Sequence, residues 1–533
     1  MHVTDVESLP ELVARRAAEH PERVFLQDVG GGELTWEALH ERALTWAAAL
    51  ASLGVGAGDR VVTMRRNSVE SVAIFIGLGW LHAVEVPVST ELRGNTLRHA
   101  IAVADGEVMA LEATYLPRMA AIAEQLPAEL SLVVDGDAGA ADVPFRVTPQ
   151  DDLLQSVRPA SGLQPPRAHE VACVVFTSGT TGPSKGVVLP WANLRASGSG
   201  NFPIGDMTEE DCFYGPSSPS HVGAKTMPFL FAMIDGRIVV RDVFSTSRFW
   251  EEIARYGATT AILVGSMGHF LLSQPERPED AETPLRNICM CPVMPEHEQF
   301  NQRFGTRIFT VFNMTETSCP IVSAPAWEIA DWRSCGRMRQ GSPGYELRIV
   351  DDADEEVADG VAGELMMRTS APWTMNLGYL GMPEQTTEAW RNGWFHTGDI
   401  MTRDAEGSYF FVDRAKDAIR RSGENVSSFE VEAEVDAHPC VAECAAIAVP
   451  SEYAEDEIEI VVVPSEEGAL APEALIEFLV PRVPRYMVPR YVRIVAELPK
   501  NVRQRVQKER LRSERDPAAV WDRVAAGIEL ARE

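Results

Sequence analysis

A chain of 533 residues with a formal charge of −30 is too large for one hydrophobic core and is expected to divide into two or more domains. The charge disfavours nucleic acid and anionic membranes as partners, and a hydrophobic content of 45% is that of an ordinary globular protein. The longest apolar run, VAIFIGLGWLHAV from Val72, has about 13 residues against the roughly 20 that a membrane span needs, and the N-terminus shows no basic region followed by an apolar one. A cytoplasmic protein without a membrane span is therefore expected.

From Leu34 to about Pro190 helical patterns alternate with short apolar runs. ELTWEALHERALTWAAALASLG reads as an amphipathic helix closed by Gly54, DRVVTM as a strand, SVESVAIFIGLGWLHA as a helix and VEVPV as a strand. This alternation argues for a layered α/β fold. VACVVFT, RIVVRDVF, TTAILVGS and TRIFTVFN continue the series of strands, and from about Gly341 the pattern turns β-rich in YELRIVDD, GELMMRTS and GSYFFVD. After Asp413 a small α+β unit is expected, with strands in AECAAIAVP, EIEIVVVP and RYVRIVAE, a helix in PEALIEFLVPRV and an amphipathic helix in the tail DPAAVWDRVAAGIELARE. The expected division is a large N-terminal domain over 1–413, a hinge at 414–417 and a small C-terminal domain over 418–533.

The eight cysteines include no CxxC pair, so Cys289, Cys291 and the rest read as reduced structural thiols. Lysine is scarce. Only Lys185, Lys225, Lys416, Lys500 and Lys508 occur among 48 basic residues, so arginine is the default cation.

FTSGTTGPSKGVVLP, residues 176–190, follows a strand and concentrates glycines, hydroxyls and a lysine. Glycines let backbone N–H groups approach an anion, hydroxyls add donors, and lysine adds charge. The composition is that of a phosphate cradle, although not the GxxxxGK[ST] pattern.

TSGTTGPSKGV resembles the signature loop of the acyl-adenylate-forming superfamily, which includes acyl- and aryl-CoA ligases, luciferases and peptide-synthetase adenylation domains. The resemblance continues in order through LTWEAL, FNMTET, NGWFHTGDI, DRAKDAIRRSGENVSSFEVE, RYMVPRYV and LPKNVRQRVQK, and the pattern is most like that of the acyl-CoA ligases. It implies an α/β fold of layered subdomains, a β-rich subdomain and a small mobile C-terminal domain. The reaction it implies converts a carboxylic acid and ATP to acyl-AMP, which CoA then attacks.

Carried over residue by residue, the resemblance assigns the nucleotide to Thr177, Ser178, Gly179, Thr180, Thr181, Gly182, Lys185, Phe312, Asn313, Asp399 and Arg414. Thr315 would contact the α-phosphate and Glu316 a Mg²⁺, a metal that prefers oxygen ligands and substrate phosphates. In isolation the same stretch also reads as a helix start. Phe312 stands where the family has tyrosine, its face still able to stack on adenine, and Asn313 stands where it has glycine. Asp399 would accept from the ribose hydroxyls. Lys416 falls at the family's hinge, its alternative being a solvated lysine. Ser422, Gly423 and Glu424 match the loop that forms the pantetheine tunnel, where Gly423 permits close backbone approach. Arg490 and Arg493 are candidates for CoA phosphates. His221, Val222, Gly223, Gly265, Met290 and Met314 fall around the acyl pocket, His221 reading equally as a structural histidine.

The family's last loop carries a catalytic lysine that bridges the acid and the α-phosphate. Here Arg505 occupies its place, with Gln504 for the preceding glycine and Arg503 for a serine or threonine. Arginine keeps the charge but is a broad planar fork in place of a compact ammonium, and losing one transition-state contact costs ~2.7–4 kcal/mol, about 10²–10³ in rate. Lys508 is a possible substitute three residues on. The expected function is formation of an acyl-CoA thioester from acyl-AMP and CoA, with adenylation impaired and acyl-AMP supplied by a separate adenylating enzyme. A complete ATP-dependent ligase and a non-catalytic sensor of acyl-AMP or acid are the alternatives.

Overall fold

The structure, a computed structural model, describes residues 7–139, 143–177, 183–414, 418–421, 424–451, 455–465, 470–500 and 506–530. The chain divides into two compact units. One comprises Met1–Thr90, Ile101–Phe176 and Gly186–Asp413, the other Glu91–Ala100, Thr177–Lys185 and Arg414–Glu533.

Two seven-stranded, mainly parallel sheets carry the first half of the chain. The first has the order Arg146–Pro149, Ser131–Asp135, Val108–Glu112, Arg60–Met64, Val84–Pro87, Val171–Thr177, Lys185–Pro190. In it Val61 lies opposite Val108 and Glu85 opposite Cys173. The second has the order Arg307–Phe309, Asn287–Met290, Thr260–Leu263, Cys212–Pro216, Arg237–Arg241, Val24–Asp28, Glu33–Thr35. Only its last pair is antiparallel. The strands read as near-continuous apolar runs because parallel sheets are covered on both faces. Helix Val69–Trp80, opened by a reciprocal Ser68–Ser71 capping box, is buried along its whole length from Ser71 to Trp80. It lies against helix Trp36–Ser52, capped by Thr35. A side-chain carbon on Gly77 would stand 2.7 Å from the Ala43 carbonyl oxygen, so glycine is what lets these two helices approach.

The third sheet is antiparallel, in the order Val311–Met314, Ser318–Val322, Ser334–Met338, Ser408–Arg414, Phe395–Arg403, Gly363–Thr369, Tyr345–Val350. The run TRIFTVFN, expected as one strand, is divided between two sheets. Arg307–Phe309 is an edge of the second, and Val311–Met314 an edge of the third. The change occurs at Thr310, whose hydroxyl donates to the Met290 carbonyl at 2.7 Å and whose amide donates to the Ser323 hydroxyl at 2.7 Å.

In the second unit a four-stranded sheet, Val441–Pro450, Asp456–Pro464, Tyr491–Ile494, Trp521–Asp522, packs with helices Ser428–Asp436 and Pro472–Leu479. The tail departs from the expected helix. It forms a short 3-10 turn, Pro517–Ala519, and a two-residue edge strand with Asp522 opposite Tyr491. The Asp516 side chain caps the turn, Asp522 accepts from Val524 N, and Gly527 takes φ +74. Each of these takes the backbone out of a helical path.

Candidate active site

Two of the candidate residues are buried carboxylates carried by the third sheet. Thr315 and Glu316 occupy the hairpin turn between Val311–Met314 and Ser318–Val322, closed by Thr317 N donating to Met314 O at 3.2 Å. The turn is not a helix start. Phe312 pairs with Ile321 and Met314 with Ser318, and the register shift between them puts Asn313 at an irregularity where it is exposed. Phe312 is half-buried against the core of this sheet, and Met314 and Thr315 are half-buried.

Glu316 is 5% exposed. Its carbonyl accepts both the Asn376 amide N–H at 2.9 Å and the Asn376 side chain at 3.1 Å. Asn376 in turn accepts from Gly378 N at 2.8 Å and Trp390 Nε1 at 3.2 Å. The Tyr379 hydroxyl donates to Glu316 Oε1 at 3.2 Å. Burial, with the neighbouring Glu316 charge, pushes the Tyr379 phenol well up, so it remains a proton donor. Mg²⁺ is ordinarily held by one or two carboxylates together with substrate phosphates. One buried carboxylate fixed by a neutral hydroxyl is such a donor set.

Asp399, on Phe395–Arg403, is 2% exposed. The stretch of strand before it, where the register with Gly363–Thr369 shifts, is fastened from that neighbouring strand. Glu364 accepts Gly398 N–H at 2.9 Å and pairs with His396 Nδ1 at 3.1 Å and Arg391 at 3.2 Å. The Thr397 hydroxyl donates to Leu365 O at 2.6 Å and accepts Asp399 N–H at 3.1 Å. Gly398 has φ +72, a conformation that favours glycine. Burial would raise the Glu364 carboxyl, but the bonds to His396 and Gly398 and the nearby Arg391 hold it below its ordinary value.

Of the acyl-pocket candidates, Met314 ends a strand of the third sheet, and the others lie at or beyond the carboxyl ends of second-sheet strands. Strands Cys212–Pro216 and Arg237–Arg241 run outward in one direction, and Thr260–Leu263 returns on the other side of Cys212–Pro216. Open α/β sheets bind ligands at such a reversal of strand order. His221 and Val222–Gly223 follow Cys212–Pro216, and Gly265 follows Thr260–Leu263 as the first residue of helix Gly265–Leu272. Gly223 has open space at its missing side chain and, with Ala224, Asn67, Ser217 and Phe213, lines a small cleft. Met290 belongs to the core: it is fully buried, with its methyl group against Gly268.

Thr177 ends the strand Val171–Thr177 and Lys185 opens Lys185–Pro190. Arg414 ends Ser408–Arg414. Glu424 opens Glu424–Ser427 opposite Arg421. Ser178, Gly179, Thr180, Thr181, Gly182, Lys416, Ser422, Gly423, Arg503, Gln504 and Arg505 lie outside the described residues.

Arg490 and Arg493, read as candidates for CoA phosphates, are already partnered. Arg490 pairs with Asp522 at 3.2 Å and Glu457 at 3.8 Å. Arg493 shares the fully buried Glu459 with Arg515. Lys508 is drawn onto helix Ser428–Asp436, its Nζ 2.8 Å from Glu432 Oε1 and 2.7 Å from Ser428 Oγ.

Sequence reasoning missed Asn376, Tyr379 and Glu364. The first two lie in NLGYLG, a stretch with no periodicity, and Glu364 reads as an ordinary strand residue. The only available signal was their nearness to the motif strings.

Residues 13–380 match the family model described as AMP-binding enzyme, and residues 430–504 match the AMP-binding enzyme C-terminal domain. The chain is 30% identical over 525 residues to a sulfoacetate–CoA ligase of Cupriavidus necator, covering 95% of this chain and 97% of that one. It is 27% identical over 487 residues to a crotonobetaine/carnitine–CoA ligase of Salmonella typhimurium, covering 90% and 93%. Among solved structures, o-succinylbenzoate CoA synthetase of Bacillus subtilis superposes with a TM-score of 0.81 at 21% identity, covering 94% and 98%. The amide bond synthetase McbA of Marinactinospora thermotolerans superposes with a TM-score of 0.80 at 24% identity, covering 94% and 99%. With both family models matched in order and relatives aligned over nearly the whole chain, this protein belongs to the AMP-binding enzyme family, among relatives that are CoA ligases.

Proposed function

We propose that the protein is a carboxylic acid–CoA ligase that forms an acyl-CoA thioester through an acyl-adenylate, with the thioester-forming step outpacing adenylation. The observation that carries the ligase reading is the pair of buried carboxylates on one sheet: Glu316, braced by Tyr379, and Asp399, fixed through Glu364 and Thr397. In the first step a carboxylate oxygen of the acid attacks the α-phosphorus of ATP and pyrophosphate leaves. In the second the CoA thiolate attacks the acyl carbonyl and AMP leaves. Glu316 would hold Mg²⁺, which when bound neutralises phosphate charge. Asp399 would accept from the ribose, Thr315 would donate to the α-phosphate, and Phe312 would face the adenine. The acid would extend toward His221, Gly223 and Gly265.

Slow adenylation rests on Arg505, Gln504 and Arg503 standing together where the family's lysine loop is expected. It is supported by Lys508, whose ammonium is committed to Glu432 and Ser428. One observation favours the complete ATP-dependent ligase. An enzyme fed with acyl-AMP by a separate adenylating partner needs no metal-binding carboxylate, yet Glu316 is present and held by three hydrogen bonds to itself or its carbonyl.

The test is acid-dependent pyrophosphate release with ATP, Mg²⁺ and CoA, for wild type and Arg505→Lys, over acids headed by the relatives' substrates, sulfoacetate, crotonobetaine and carnitine. Much faster turnover by Arg505→Lys than by wild type, with wild type converting synthetic acyl-AMP to acyl-CoA readily, is the expected result. Vigorous wild-type turnover of ATP would establish the complete ligase. Tight acyl-AMP binding without transfer to CoA would overturn both readings in favour of a sensor.

A further inference from the structure

Helix Val222–Ile234 begins immediately after His221 and is poorly equipped to hold its own first turn. No side chain caps it at His221, Gly223 is its second residue, and Pro228 lies inside it. Glycine is among the weakest helix formers. Proline has no N–H, so the carbonyl four residues earlier, that of Ala224, loses its helical partner. Besides the helix's own backbone ladder, its start is held by Ala224 N donating to His221 O at 3.1 Å and the Thr226 hydroxyl donating to Gly223 O at 3.3 Å.

The fourth residue of this helix is Lys225, and it is buried, 2% exposed. Its Nζ lies 2.5 Å from Oε2 of Glu85, itself 1% exposed, and 4.7 Å from the ring centre of Phe75. The other oxygen of Glu85 accepts from the Thr63 hydroxyl at 2.8 Å. Glu85 belongs to the first sheet and lies opposite Cys173, whose thiol burial pushes well up. The rest of the helix from Thr226 to Ala232 is buried, mostly by apolar packing. Gly223, Ala224 and Met227, by contrast, line the cleft with second-sheet residues Phe213 and Ile238. The first turn is therefore fastened to the first sheet by the ion pair and bordered by the small cleft that second-sheet residues line.

A buried ion pair is a weak source of net stability. Replacing both partners by apolar residues of similar volume is often neutral or stabilising, whereas removing one leaves an uncompensated charge. A directional contact at this point in an apolar core serves better to fix position. Building on the ligase reading above, we propose that Lys225 is a positioning residue for the acid: its pair with Glu85 fixes the first turn of the helix, and thereby His221 and Gly223, against the carboxyl ends of the second sheet.

The test compares wild type with Lys225→Met and with Lys225→Met/Glu85→Leu, all in the full chain. The single variant is expected to lose thermal stability. The double variant is expected to keep a wild-type unfolding midpoint within a few degrees. In the double variant amide exchange across 221–225 should accelerate about tenfold or more while the strands of the second sheet keep their protection. With sulfoacetate, crotonobetaine or carnitine as probe, in the Arg505→Lys background if wild type is slow, KM for the acid should rise at least fivefold with KM for ATP unchanged. Unaltered exchange across 221–225 in the folded double variant would overturn the proposal, as would an acid KM equal to that of the parent. The exchange measurement needs no turnover. Absence of CoA ligation by every variant would therefore count against the ligase reading alone, leaving the positioning role to be decided by exchange.

Discussion

The hydroxyl of Tyr379 donates to the carboxylate of Glu316 across 63 residues of sequence. This contact and the two that Asn376 makes to the Glu316 carbonyl give the turn after Met314 a fixed carboxylate, which a hairpin turn by itself would not supply.

Tyr379→Phe should weaken that carboxylate's hold on Mg²⁺. A hydrogen bond to a charged group contributes about 1.5–3 kcal/mol. In the Arg505→Lys background the Mg²⁺ concentration giving half-maximal pyrophosphate release should rise about tenfold, with KM for CoA unchanged. An unchanged Mg²⁺ requirement would show that the tyrosine serves packing only.

Glu316→Gln should separate the two half-reactions. Pyrophosphate release should fall about 10²-fold or more, in line with the loss of a charge-stabilising contact. Conversion of supplied acyl-AMP to acyl-CoA should fall less than tenfold. Equal losses in both steps would place Glu316 in a structural role shared by both.

The strand segment carrying Asp399 should loosen in acid. The Glu364 carboxyl is depressed below its ordinary value in the folded protein. Its stabilising contribution is therefore present above the ordinary carboxylate range and is lost as pH falls through the lower, folded value. Amide exchange at Gly398, corrected for the intrinsic pH dependence, should accelerate below about pH 4. In Glu364→Gln it should be fast at neutral pH and nearly independent of pH.

Lys508→Ala should leave both half-reactions within about twofold of wild type while lowering the unfolding midpoint of the small unit. Glu432 keeps one partner, Ala446 N at 2.8 Å, after the ammonium is gone. A large loss of pyrophosphate release in this variant would mean that Lys508 leaves Glu432 during catalysis and acts as the missing lysine.

Thiol reagents should act slowly on Cys212, Cys319 and Cys335 in the folded protein. Burial pushes the thiols of Cys212, Cys319 and Cys335 up to about 11, so at neutral pH very little thiolate is present. Labelling of these three should accelerate sharply only on unfolding.

The layered fold was legible because its strands are buried on both faces and read as unbroken runs such as VACVVFT, and its helices carry visible caps such as Thr35 and Ser68. The tail from Asp516 was not legible as an edge strand. Its apolar spacing suits a helix, and what overrides it is the pairing of Trp521 and Asp522 with Tyr491 and Val492, a tertiary fact. In the site, Glu316 and Asp399 were legible because each sits in a contiguous string. Their supports were not. Glu364 reaches the Asp399 segment through sheet register, 34 residues from Gly398, and Asn376 and Tyr379 reach Glu316 from a loop 60 and 63 residues away. The partners that occupy Arg490 and Lys508 are separated from them by 32 and 76 residues, so their commitments could not be read from local charge.

Two short segments of the first unit hold each other beside the motif strings. Val188 N donates to Gly378 O at 3.0 Å, Leu377 N to Val188 O at 2.9 Å, and Leu380 N to Gly186 O at 2.8 Å. The backbone leaving the glycine-rich stretch is thereby zipped to the backbone carrying Asn376 and Tyr379. Any event that displaces Gly186–Val188 must release the amides of Leu377 and Leu380. Those two amides are built-in reporters: their solvent exchange reads out whether Gly186–Val188 is still paired, without a dye, a tag or a substrate that turns over.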